Sequence, residues 1–314
     1  MSTASDTPQM VDSNGTRAIA AGNTRPFFWS VKREIWEHRS VWIAPLAAAG
    51  VVLFGFALRT FHLPHLLRQA QTLEPGMRDA AMAAPFAFAA GAILLTSTIV
   101  AFFYCLGALN NERRDRSILF WKSLPVSDAT TVMSKAFIPF VVLPLTAFAV
   151  ALVTQLIMLL LGSAILLASG IQPATLWQHW PLPHMIVVML YVVVINVLWS
   201  APIYGWLLMV SSWARRMPFL WAVLPWLGLA VFEKIATDTS YVWSFLAYRF
   251  KGAMIEGFAP TADHHHHKFM SISDVTSALA PGHFLSTPGL WLGLLAGAIF
   301  IAAAIYIRRT REPG

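Results

Sequence analysis

The chain has 314 residues, 57% of them hydrophobic and only 12% charged, with a formal net charge of +7 and a mean hydropathy of +0.61. Soluble domains carry about 25% charge, so this composition excludes a water-coated globule and points to an all-α integral membrane protein. Its single cysteine, Cys105, excludes an intrachain disulfide. There is no GxxxxGK[ST], HExxH, GxSxG or CxxC pattern, which removes phosphate cradling by a P-loop and the commoner hydrolytic and metal mechanisms.

Residues 1–25 are polar, rich in Ser, Thr, Gly and Asn, and lack an apolar h-region. They predict a disordered cytoplasmic tail, not a signal peptide. In 26–40, Phe28, Val31 and Ile35 recur at i, i+3 and i+7, while Lys32, Arg33, Glu34, Glu37 and His38 fill much of the remainder. That pattern, with Trp29 and Trp36 at headgroup depth, predicts a helix lying flat on the membrane. The alternative is a frayed start to the first span. Six apolar stretches long enough to cross a bilayer follow: Val41–Leu58, Phe86–Leu109, Ala136–Ala168, His184–Trp213, Pro218–Ala236 and Leu290–Ile307. The third exceeds one crossing and is expected to tilt or project, with Pro139 and Pro144 bending its beginning.

Lys and Arg set the expected orientation. With the N-terminus inside, one side holds Arg17, Arg25, Lys32, Arg33, Arg39, Arg113, Arg114, Arg116, Lys122, Lys135, Arg215, Arg216, Arg308, Arg309 and Arg311. The other holds Arg59, Arg68, Arg78, Lys234, Arg249, Lys251 and Lys268. The asymmetry predicts both termini in the cytoplasm. On the external side lie Arg59–Pro85, with His62, His65 and a Glu74-Pro75-Gly76 turn, and the larger loop 237–289. Its aromatic part, Ser240–Phe258, is expected to fold back on the membrane as a surface or re-entrant helix.

Between the second and third spans stands ERRDRSILFWKSLPVSDATTVMSK, Glu112–Lys135. A charged head leads through Ile118, Leu119, Phe120 and Trp121 to a Leu124-Pro125 stop, and a new helix starts at Ser127 or Asp128. An amphipathic cytoplasmic segment offered to a soluble partner is the physical reading of 112–127. Within the spans, Thr96, Ser97, Thr98, Gln155 and Asn196 either line a path or join helices. Glu233 and Lys234, near the end of the fifth span, are either functional charges or snorkelling side chains. His264, His265, His266 and His267 are weak metal candidates, because adjacent ligands in a loop make a loose chelator; a solvated polar loop is the plain alternative.

Glu112-Arg113-Arg114-Asp115 through Ser123-Leu124-Pro125-Val126-Ser127, with Lys135 following, resembles the coupling region of ABC-2 type transporter permeases. The flat first helix, six spans and large loop before the last span extend the resemblance over 26–314. It implies the ABC-2 (type V exporter-like) permease fold in the cell inner (plasma) membrane. It further implies a homodimer, each copy docked through Glu112, Arg113, Arg114, Asp115, Ser117, Ile118, Leu119, Phe120, Leu124 and Pro125 onto a separate ATPase subunit. ATP and Mg would be bound by that partner and no cofactor by this chain; membrane lipids surround it, and no nucleic acid is involved. The resemblance also implies a translocation path or gate at Thr96, Ser97, Thr98, Tyr104, Pro225, Trp226 and Glu233. Competing readings are a membrane-embedded enzyme or metal-handling protein using His62, His65 and His264 to His267, and an ABC-2-like scaffold that does not transport.

Overall fold

The computed structural model describes residues 26–60, 75–114, 127–170, 172, 174, 177, 182–258 and 278–310, with the backbone alone at 75–80 and 182. Outside these lie the expected tail 1–25, His62, His65, most of the segment 112–127 and the run His264 to His267. The described residues form helices and the short connections between them, with one isolated antiparallel bridge between Phe258 and Leu279. Six helices among them are long and apolar enough to cross a membrane: Ser40–Thr60, Ala81–Arg114, Asp128–Ala168, Pro183–Trp213, Pro218–Thr237 and Pro288–Thr310. The chain is thus an all-helical, multi-pass membrane protein.

Helix α1 (Pro26–Glu37) is separate from the first span α2 (Ser40–Thr60), the chain breaking at His38 and Arg39. Its Val31 and Glu34 face the bundle, and Phe27 meets Phe137 edge-on at 5.6 Å. Lys32 lies 5.0 and 4.9 Å from the ring centroids of Trp29 and Trp36, on the exposed side. An amphipathic helix, not a frayed start, occupies 26–37.

The second span α3 (Pro75–Gly107) begins earlier than the apolar run suggests. A proline at the first helical position gives up an N–H that would be unpaired there anyway, so Pro75, expected in a turn, opens a helix instead. A short helix α4 (Asn110–Arg114) follows. The third span opens with α5 (Asp128–Phe137), passes through a π-helical turn at Ile138–Val142 and continues as α6 (Leu143–Ala168). Pro139 and Pro144, lacking N–H groups, fall where the regular hydrogen-bond ladder is interrupted.

Then come α7 (Leu182–Trp213), α8 (Pro218–Thr237), α9 (Tyr241–Gly257), α10 (Pro281–Ser286) and the last span α11 (Pro288–Thr310). Within 237–289 a helix is present, α9, packed against α7 and α8. Helices α7 and α11 pack backbone to backbone: a Cβ on Gly205 would sit 2.8 Å from the Gly297 carbonyl oxygen, and one on Gly297 3.0 Å from that of Ala201. Small residues allow this approach where lipid offers no hydrophobic drive between helices. By contrast α8 buries only Ala222, leaving its apolar sides for lipid or another chain.

Candidate functional site

The break between α3 and α4 positions the most unusual cluster in the molecule. Ser211 Oγ, near the end of α7, accepts the Leu109 and Asn110 N–H groups, both at 3.0 Å. Asn110 Nδ2 donates to the Ala214 carbonyl at 2.6 Å, and Arg113 Nη2 donates to the carbonyls of Ser211 and, at 3.1 Å, Ala214. Clamped to α7 in this way, α4 turns Glu112 inward, where it is 5% exposed.

Two cations meet that carboxylate. Lys135 Nζ lies 3.0 Å from Oε1, and Arg308 Nη1 donates to Oε2 at 2.7 Å. Arg33 Nη2 stands 3.9 Å from Oε1. Lys135 also donates to Glu34 Oε1 at 2.7 Å, and the Tyr104 hydroxyl donates to Glu34 Oε2 at 3.0 Å. Arg308 Nε completes the set by donating to Asp128 Oδ1 at 3.1 Å. Glu34 and Lys135 are 2% and 1% exposed. The cluster balances Glu34, Glu112 and Asp128 against Arg33, Lys135 and Arg308, drawn from α1, α4, α5 and α11. Charges this deep persist only when paired and hydrogen-bonded.

Local sequence explains the convergence. Asp128 and Lys135 are two helical turns apart and share a face of α5. Ser127 caps that helix, its Oγ accepting the Thr130 N–H at 3.1 Å. Val31 and Glu34, three residues apart, share the bundle-facing side of α1. Both ends of 115–126 therefore start from the cluster: Arg114 leaves it beside Glu112, and Ser127 returns beside Asp128.

The expectation of an exposed charged head at Glu112, Arg113 and Arg114 needs correction. Only Arg114 is exposed; Glu112 is buried and Arg113 partly so, because α4 docks on α7. Asp115, Ser117, Ile118, Leu119, Phe120, Leu124 and Pro125 lie outside the described residues.

Of the expected path or gate residues, Ser97 and Thr98 share the lining of one cavity, which Thr96, Tyr104, Pro225, Trp226 and Glu233 do not line. Tyr104 is buried in the ion cluster, its ring also edge-on to His38 at 4.8 Å; a buried phenol needs a polar partner and finds Glu34. Thr96 and Thr98 donate to the Ala92 and Leu94 carbonyls of their own helix at 2.8 and 2.9 Å. Ser97 Oγ crosses to the Leu143 carbonyl at 3.2 Å, and Asn196 Nδ2 donates to Thr98 Oγ1 at 3.3 Å. Ser97, Thr98 and Asn196 join α3 to α6 and α7, and with Tyr204 they line a cavity of about 20 Å³ beside the π-helical turn. That volume suits one water molecule. Gln155 Nε2 likewise ties α6 to the Phe86 carbonyl at 3.2 Å.

On α8, Pro225 is exposed and Trp226 stacks on Phe245 of α9 with centroids 6.3 Å apart. Glu233 reaches past the end of α8 to the start of α9. Its Oε1 accepts from Thr239 Oγ1 at 2.7 Å and the Tyr241 N–H at 2.6 Å, while Oε2 accepts the Val242 N–H at 2.8 Å. Glu233 thus caps a helix, which favours carboxylates at its positive end. Lys234 pairs with Asp238 at 2.6 Å on the surface.

Glu34, Asp128 and Arg308 are the functional candidates that sequence reasoning passes over. The available signal was Glu34 sharing the spacing of Val31. Among the described residues no group of three His, Cys, Asp or Glu side chains is placed to hold a metal. No family model, curated protein or solved structure matches the chain.

Proposed function

We propose that this chain is the permease subunit of an ABC exporter of the ABC-2 type, working as a homodimer with two separate ATPase subunits. The observation that carries the reading is the buried ion cluster at both ends of 115–126. A segment pushed by a soluble motor needs rigid anchorage to the spans, and here Glu112 and Asp128 share Arg308 of the last span. Through Lys135 and Glu34 the same cluster grips α1, so displacement of the segment is passed to the interfacial helix and the third and last spans together. Neither a freestanding enzyme nor a metal carrier calls for such a linkage. With the N-terminus inside, as the Lys and Arg asymmetry favours, the cluster faces the cytoplasm, where ATP is.

The test is co-expression of the tagged chain with an ATPase encoded beside it that carries a P-loop. The reading predicts a stable complex of two permeases and two ATPases whose ATP hydrolysis depends on the permease. Recovery of the permease without any ATPase, under conditions that keep it folded, would contradict it.

A further inference from the structure

At the opposite end of the bundle, α9 buries an arginine with at least three of its five N–H donors unused. Arg249 is 8% exposed. Its Nη1 donates to the Gly289 carbonyl at 3.1 Å, and its guanidinium lies 4.5 Å from the Trp199 ring centroid. Trp199 in turn donates Nε1–H to the Arg249 carbonyl at 2.9 Å. Two glycines make the fit possible: a Cβ on Gly252 would collide with the Trp199 indole, and one on Gly293 with Arg249 Nη2. Nε and Nη2, however, have no hydrogen-bond partner. Glu256, on the same helix, is engaged by the Tyr248 hydroxyl at 2.8 Å, and burial together with that bond pushes the Tyr248 pKa up to about 12. Burial also draws the Arg249 pKa below its ordinary value.

Nε and Nη2 form the parallel pair of donors that a guanidinium offers to two oxygens of one phosphate or carboxylate. A buried charge with that edge empty is costly, so this packing favours a second arrangement in which an anion fills it. Depth indicates which anion. Gly289 and Gly293 lie roughly 25 Å along α11 from Arg308, close to the thickness of a hydrocarbon core. Arg249 therefore sits near headgroup level in the leaflet opposite the ion cluster. Around it α9 exposes Tyr241, Trp243 and Phe250, side chains suited to that level.

We propose that Arg249 is the anion-recognising residue of a phospholipid headgroup site, its Nε–Nη2 edge taking the two free oxygens of a phosphate once α9 eases away from α11. Free phosphate shares this chemistry, and the experiment separates the two. The full-length protein in neutral detergent is melted alone and with phosphatidylglycerol, diacylglycerol or inorganic phosphate. Phosphatidylglycerol is expected to raise Tm by about 3–5 °C over diacylglycerol, which lacks the phosphate, and inorganic phosphate much less. Arg249→Gln should abolish that difference while melting, without lipid, no lower than the parent. Arg249→Lys, with the charge but not the fork, should retain less than half of it. A difference that survives in Arg249→Gln overturns the site. Lower lipid-free stability of Arg249→Gln overturns it in favour of a structural strut. An equal response to inorganic phosphate overturns the lipid assignment.

Discussion

Lys135 shows how strongly a single side chain is held in this protein. It is buried in the ion cluster, 2.7 Å from Glu34 and 3.0 Å from Glu112, and its removal leaves Glu34 without its cation and Glu112 with Arg308 as its close one. Breaking a buried ion pair by deleting one partner costs about 3–5 kcal/mol. Lys135→Met is therefore expected to lose stability on that scale, read as Tm in detergent. Adding Glu34→Gln should recover part of the loss, since the remaining carboxylate keeps Arg308. A double variant as unstable as the two single effects added would show that Glu34 and Lys135 act independently. Little of this is legible in the sequence. The partners lie 101 and 196 residues apart, whereas helical periodicity reports on neighbours three or four positions away. Glu34 reads as one more charge on the polar side of α1, and Glu112 as part of an exposed head.

Among the elements, the spans are the legible part, because a bilayer demands about 20 apolar residues whatever their neighbours do. The capped start of α5 is legible for a similar reason: Ser127 and Asp128 act locally. Less visible are joints made by long-range contacts, such as α4 clipped to Ser211 and Ala214 of the α7 end. Glu233 belongs to the same class. As an ionisable residue near a span end it reads as a functional charge or a snorkelling side chain, and the sequence does not show that its carboxylate holds the first N–H groups of α9. Glu233→Ala is expected to loosen the start of α9, as for other lost caps, and to speed amide exchange at residues 241–244 while leaving the six spans intact. Glu233→Gln should fall between, keeping an acceptor without the charge. Unchanged exchange at the start of α9 would show that the cap does not hold it.

For the whole molecule, the two ends differ in kind. One gathers the ion cluster, the roots of 115–126 and the interfacial helix; the other carries α9 and α10 packed on the spans. Such a division fits a machine driven from one side and opening toward the other. The nearly unburied α8 leaves an apolar side on which the proposed second copy can rest. The central claim, that the segment after Arg114 receives a motor, is tested most directly by Ser117→Cys in a Cys105→Ser background. With a cysteine-reactive photocrosslinker attached, the assembled complex should yield a permease–ATPase adduct whose amount changes on ATP binding, and Lys135→Met should weaken that change more than it weakens assembly. No adduct from Ser117→Cys in a complex that still hydrolyses ATP would contradict the account.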